Sequence, residues 1–263
     1  MLKRLVLLAC LLCASPVWAG DFRLDLDCLN EAYPGLIAGT ETDAEGRVWF
    51  LTSGGERLPY DDGRAKTPAE LLEDADIEDS MRLPYPLEPA RPDFAPDEDP
   101  GRIRCYPLLR ALYGADRRAV EAGIVRVPFD ARVKVRLAAP AASAFRRVAE
   151  AWAARPVPAL SDYFSPIYGQ YWRLIAKTGR LSPHAFGIAV DLNPDKGPYW
   201  QWSKLRPHPL QKTFPPEIVA LFEENGFIWG GKWEHFDLMH FEYRPELVIK
   251  ARKLREEAGG TGK

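Results

Sequence analysis

The pattern of apolar and polar positions changes character near Val125. Before that point turn formers and acids dominate, and the clearest local signal is "DAEGRVWFLTSGGERLPYDDG". There Val48 to Leu51 form a β-favouring run, Ser53-Gly54-Gly55 a turn and Glu56 to Tyr60 a returning strand, which predicts a hairpin. "YPLEPARPDFAPDEDPG" then carries five prolines. Proline fixes φ and removes a backbone donor, so an extended connector is predicted there. "CYPLLRALYG" follows, with Leu108, Leu109 and Leu112 at helical spacing and Gly114 as the stop.

After Val125 the periods sharpen. "ARVKVRL" alternates Val133, Val135 and Leu137 with basic residues, the pattern of a half-buried strand. "AASAFRRVAEAWAARP" places Phe145, Val148 and Trp152 on one helical face until Pro156 ends it. "ELVIKARKLREEA" predicts a C-terminal helix, and "GGTGK" a frayed end. The resulting expectation is an α+β chain: an accessory region over 20–124, a main domain over 125–258 and a flexible tail over 259–263.

Two short stretches carry the candidate chemistry. In "SPHAFGIAVDLNP", a strand from Gly187 to Leu192 would turn Ile188, Val190 and Leu192 into a core. Gly187, Ala189 and Asp191 would then face open space. His184 lies an odd number of residues from Asp191, so bringing both to one point requires a bend near Ala185 to Gly187, which a glycine permits. In "WGGKWEHFDLMHFEYRP", alternation sets Met239, Phe241 and Tyr243 on an apolar face and His240 with Glu242 on the other. His240 can therefore project toward Asp191. Two histidines and a carboxylate, with a position left for water, compose a catalytic zinc site, whereas structural zinc favours four cysteine-rich ligands. Asp237, three residues before His240, can approach that water without ligating.

Composition narrows the setting. The 263 residues are 46% hydrophobic and 27% charged, which is ordinary globular material. A net charge of -2, with acids and bases interspersed, offers no field for gripping nucleic acid or an anionic membrane. "MLKRLVLLACLLCASPVWAGDF" reads as a basic start, an apolar run too short to span a bilayer, and a small-residue cleavage site after Ala19. A signal peptide over 1–19 implies a periplasmic or secreted protein, with a lipoprotein anchor at Cys10 the weaker reading. Cleavage would remove Cys10 and Cys13, leaving Cys28 and Cys105 as an expected disulfide worth about 4 kcal/mol.

The joined motif Ser182-x-His184-x-x-Gly187-x-Ala189-x-Asp191, followed by Asp237-x-x-His240-Phe241-Glu242, resembles the zinc D-alanyl-D-alanine carboxypeptidases and L-alanyl-D-glutamate endopeptidases. These peptidases share the hedgehog/DD-peptidase fold, a small antiparallel sheet with flanking helices. The resemblance spans roughly residues 130–250 and implies Zn2+ held by His184, Asp191 and His240, with Asp237 as the catalytic carboxylate. It implies a substrate-binding arginine at Arg173, with Arg180 as rival, and substrate contact at Ser182. Pro183 departs from the polar residue that relatives often carry. His235 is a rival ligand, His208 reads as an exposed turn residue, and Trp200, Trp202, Trp229 and Trp233 are candidates for either groove or core.

The function so implied is a secreted peptidase cutting a bond in the peptidoglycan stem peptide. A non-catalytic cell-wall or zinc-binding module of the same fold is the alternative. The carboxylate at Asp237 favours the enzyme, since a module without turnover has no need of it.

Overall fold

The computed structural model describes residues 22–89 and 94–260, so the leader expected at 1–19 lies outside the described residues. The chain begins with helix α1 (Phe22–Ala32) and a meander of β1 (Ile37–Thr42), β2 (Val48–Thr52) and β3 (Arg57–Asp61), paired antiparallel in that order. β2 and β3 form the hairpin predicted from sequence. β1 escaped that reading because "IAGTET" has little apolar periodicity and stays largely exposed at the sheet edge. Two short helices follow, α2 (Pro68–Glu73) and α3 (Ile77–Met81). Each starts on a capping box, Thr67 with Glu70 and Asp76 with Asp79, which satisfies amide donors that the first turn leaves open. No helix or strand forms among the described residues of the proline-rich connector.

Helices α4 (Tyr106–Tyr113) and α5 (Arg117–Ala122) lead into the antiparallel pair β4 (Ile124–Pro128) and β5 (Lys134–Ala138). Helix α6 (Ala139–Ala154) begins directly after β5, buries Phe145 and Val148, and stops short of Pro156. The remaining α-helices and strands are β6 (Ala189–Asp191), α7 (Leu210–Thr213), α8 (Pro216–Glu223), β7 (Phe227–Trp229), β8 (His240–Tyr243) and α9 (Pro245–Gly260). Strands β6, β8 and β7 form an antiparallel sheet with β8 in the centre. The architecture is therefore α+β, with small antiparallel sheets and flanking helices. Helix α9 runs through Gly259 and Gly260, two residues into the expected tail, and 261–263 lie outside the described residues.

Of the three hydrophobic clusters among the described residues, two are large. One joins β5, α6, α8 and the β6-β8-β7 sheet through residues such as Leu137, Phe145, Val190, Phe222 and Phe241. The other is built by both halves of the chain: Leu29 of α1, Phe50 of β2 and Met81 of α3 pack with Ile228, Trp233 and Leu247. A buried ion pair and a buried hydrogen bond cross the same boundary. Lys250 of α9 reaches Asp25 of α1 at 2.5 Å, and the Tyr33 hydroxyl donates to Glu246 at 2.7 Å. Among the described residues no helix is long and apolar enough to cross a membrane.

The expected Cys28–Cys105 disulfide is not present; both cysteines are free and buried. Each fills the second core as a small apolar residue, beside Leu29 and Leu108. Burial pushes both thiols up to about 12, so at pH 8 they stay protonated and are poor nucleophiles. Alkylation of the folded chain at pH 8 should leave Cys28 and Cys105 unmodified on peptide mapping, and unfolding in denaturant should expose both. A cross-linked Cys28–Cys105 peptide would overturn the free-thiol assignment.

Candidate metal centre

His184 is placed by a ladder and a tight turn. The segment from Arg173 doubles back on itself, with Leu174 bridged to Leu181 and the Ser182 amide donating to the Arg173 carbonyl at 3.0 Å. The chain then coils: Ala185 N–H bonds Ser182 O at 2.8 Å, and Gly187 N–H bonds His184 O at 3.0 Å. The Ser182 hydroxyl accepts from the His184 amide at 3.3 Å. Gly187 ends the coil at φ +72°, where an added Cβ would lie 2.6 Å from Ile124 Cδ1 and 2.7 Å from Ala138 N. The bend required by the His184-to-Asp191 spacing is thus real.

The face assignment is correct only in part. Ile188, Val190 and Leu192 all enter hydrophobic clusters and Asp191 faces the cleft, but regular strand covers only Ala189–Asp191. Gly187 and Ala189 border packed structure, not open space; Ala189 is fully buried, and Gly187 presses on β5 and Ile124. Asp191 is pinned on both sides, exchanging backbone hydrogen bonds with Tyr168 and pairing with His240 across β6 and β8. Met239 lies just before β8 and lines the cleft, because alternation begins only where the strand does.

Three donor groups converge. His184 Nδ1 donates to the Gly169 carbonyl at 2.8 Å, which leaves Nε2 facing Asp191 Oδ2 at 3.0 Å. His240 Nδ1 lies 2.9 Å from Asp191 Oδ1, while its Nε2 points at Glu242 Oε2, 3.3 Å away. A neutral His184 presents a lone pair to a carboxylate oxygen, an arrangement that needs a cation between them, either a proton or a metal ion. Burial opposes the charge on Asp191, but His184 and then His240 hold its carboxyl well below the usual range. His184, Asp191 and His240 each offer an atom within 4.8 Å of the others, so the donors fit one metal ion. Asp97, Glu234 and His235 also meet that distance, but the His235 Nδ1 is taken by Asp99 at 2.7 Å. The acidic groups near Asp76 are filled by the Lys66 ammonium, 3.1 Å from Asp76 and 2.6 Å from Asp79.

These donors sit in an open cleft of about 420 Å³. Asp237 lines it, with its backbone tied to Gly230 and His240, while its buried Oδ1 has no hydrogen-bond partner. Burial pushes the Asp237 carboxyl up to about 7; the His240 charge opposes this and the Asp191 charge adds to it. Arg173 lies exposed on the cleft, and no hydrogen bond or ion pair holds its guanidinium among the described residues. Arg180 lines the same cleft but is committed to α2, at 2.9 Å from Glu73 and 3.1 Å from the Leu72 carbonyl. Ser182 is buried at the cleft edge. His208 stays outside the cleft, half-buried, and its Nδ1 accepts from Leu210 N at the start of α7.

The tryptophans divide. Trp229 is core, Trp233 is buried but borders the cleft, Trp200 packs on His235, and Trp202 stands 76% exposed on the rim. Arg102 and Arg104 also line the cleft and were missed from sequence, where a region without histidine drew no attention. The signal that could have found them is the odd placement of basic residues straight after an acidic, proline-rich connector.

A nitrogen, nitrogen and carboxylate donor set beside an unpartnered carboxylate, on the wall of an open cleft, defines the class: a candidate mononuclear metal centre with room for a substrate. Residues 176–243 match the family model described as D-alanyl-D-alanine carboxypeptidase, a span that holds the three donors, Ser182 and Asp237. The match supports the resemblance drawn from the motifs and a peptidase reading for this segment. No curated protein and no solved structure matches the chain.

Gly187→Ala places a side chain in the left-handed region and against Ile124 and Ala138. Backbone strain of about 1–2 kcal/mol and overpacking of about 1–3 kcal/mol should together lower stability by at least about 2 kcal/mol. Urea unfolding of the variant beside the parent measures it.

Proposed function

We propose that the chain is an exported zinc peptidase of the hedgehog/DD-peptidase fold that hydrolyses a bond in the peptidoglycan stem peptide. The observation that carries this reading is the convergence of His184 Nε2, His240 Nδ1 and the Asp191 carboxylate beside the unpartnered Asp237, within the segment that matches the carboxypeptidase family. Those three groups would hold the ion, His184 fixed in its tautomer by the Gly169 carbonyl and His240 by Glu242. Bound zinc would supply Lewis acidity, activating water and polarising the scissile carbonyl.

The protein's own groups do the rest. Asp237 accepts the proton of the attacking water and delivers it to the leaving amine; a carboxyl raised toward neutrality suits both transfers. Arg173 donates to the carbonyl oxygen as negative charge grows there. Ser182 keeps the His184 backbone in its turn. A buried carboxylate oxygen without a partner costs about 1–3 kcal/mol, a cost that catalysis explains and a bare binding module does not.

Substituting His184, Asp191 or His240 by alanine should each abolish stoichiometric zinc, because three protein ligands leave no redundancy. Metal analysis of the purified variants decides; full occupancy in the His240 variant would move the third ligand to His235.

Asp237→Asn removes the proton acceptor and preserves shape. It should retain zinc and fold while muropeptide turnover falls by roughly 10²-fold or more. Mass analysis of defined muropeptides gives the rate and the bond together: loss of a terminal D-alanine marks a carboxypeptidase, and release at L-alanyl-D-glutamate an endopeptidase. Parental turnover in the Asn variant rules out the base, and zinc loss makes Asp237 a ligand.

A further inference from the structure

The His240 ring has two nitrogens, and the one turned away from Asp191 is held by a chain of contacts that starts in the N-terminal half of the molecule. Arg104 precedes α4 and is 6% exposed in its side chain; Glu242 on β8 is fully buried. The guanidinium grips both carboxylate oxygens, Nε to Oε1 at 2.8 Å and Nη2 to Oε2 at 2.6 Å. The oxygen bound by Nη2 is the one that lies 3.3 Å from His240 Nε2. Resting on the metal-centre reading, we infer that Arg104 is a positioning residue for the metal ligand His240, acting through Glu242.

The reasoning is geometric. A bidentate arginine fixes a carboxylate in one plane, which single-point partners do not. With Glu242 fixed, His240 Nε2–H has one direction in which to donate, so the ring turns its Nδ1 toward Asp191. Removing the arginine would leave the fully buried Glu242 with only a single-point approach from Arg244, whose Nη1 lies 3.7 Å from Oε1 and does not fix the carboxylate plane. Trp233 closes the remaining side, its ring 5.7 Å from His240 and 5.9 Å from the Arg104 guanidinium.

Arg104 does not reach Glu242 by chance. The strap from Glu98 to Arg104 is docked along the cleft by hydrogen bonds to the second half of the chain. Glu234 N–H bonds Glu98 O at 3.0 Å, His235 N–H bonds Asp99 at 2.9 Å, and Trp233 Nε1 bonds Pro100 O at 2.7 Å. Gly101, at φ +86°, lies so close to Ile228 and Leu247 that a Cβ would fall 2.4 Å and 2.9 Å from their methyls. A backbone this closely seated delivers the guanidinium to one place.

The test is zinc affinity of the full chain, measured by chelator competition without any peptide substrate. Arg104→Gln should bind zinc about 10–100-fold more weakly than the parent, the scale for losing an outer partner of a metal-bound histidine. Lys250→Met serves as the structural control: it breaks a buried pair with Asp25, and neither residue lines the cleft. It should lose thermal stability as Arg104→Gln does, yet bind zinc within about twofold of the parent, since it touches no ligand's partner. If Arg104→Gln does not fold, Arg104→Met with Glu242→Met replaces the pair by apolar side chains, a change buried pairs often tolerate. That double variant should show the same loss of affinity, because His240 Nε2 then lacks its acceptor. Parental affinity in the folded arginine variant overturns the inference, as does an equal loss in Lys250→Met. A parent chain that holds no zinc overturns the metal-centre reading itself, whereas a zinc-binding parent beside an unaffected Arg104 variant overturns this inference alone.

Discussion

The antiparallel register that sets Asp191 opposite His240 is the constraint on which the site depends. In a strand, a slip of one residue turns every side chain to the opposite face. Here it would exchange His240 for Phe241 and push an imidazole into the aromatic core of Phe222 and Trp229. The core therefore polices the site: Phe241 stacks on Phe222 at 4.1 Å, and burying that ring forces its neighbour toward Asp191. Tyr168 holds the far edge of Asp191 by two backbone hydrogen bonds. The carboxylate is fixed by main chain on both sides before either histidine touches it.

A second constraint is electrostatic and spans the molecule. Asp25 with Lys250, Arg104 with Glu242, Tyr33 with Glu246 and Lys232 with the Pro86 carbonyl all join the first hundred or so residues to the last third. Buried pairs of this kind repay little net stability, since desolvation offsets their attraction, but losing one partner strands the other. They act as registration marks. The shared core of α1, β2, α3 and α9 gives attraction without direction, and these pairs decide how the two halves meet. Arg102 and Arg104, from the first half of the chain, contribute to the cleft wall itself.

How far the sequence could be read follows the range of each interaction. The hairpin at β2 and β3, helix α6 and helix α9 were legible because one period and one stop signal define each. The donors His184, Asp191 and His240 were legible because two short motifs contain all three, and the spacing demanded a bend that Gly187 provides. Asp237 was read from its spacing to His240 and Arg173 from the resemblance, and the structure brings both to the cleft. The pairings of Arg104 with Glu242 and of Asp99 with His235 were not legible, because the partners lie more than a hundred residues apart and no local pattern encodes them. The disulfide expectation failed for a related reason. Counting cysteines uses compartment and parity alone, whereas Cys28 and Cys105 are placed by the apolar packing around them.

The distribution of satisfied and unsatisfied groups connects these points. Glu242, with no exposure, is held by Arg104 and His240; Glu223 by Lys232 and Tyr85; Asp79 by Lys66. Charges elsewhere in the interior are thus matched to partners by the fold. Within the cleft the pattern reverses, for Asp237 Oδ1 and His184 Nε2 are both buried without a hydrogen-bond partner. A chain that pairs its structural carboxylates so fully has the means to pair these two, and the nearby Arg102 is instead spent on Asp99. Under the proposed function, the unsatisfied imidazole nitrogen is left for a cation and the unsatisfied carboxylate oxygen for a proton in transit. The stability given up at this wall is what distinguishes it from the paired interior carboxylates Glu242, Glu223 and Asp79.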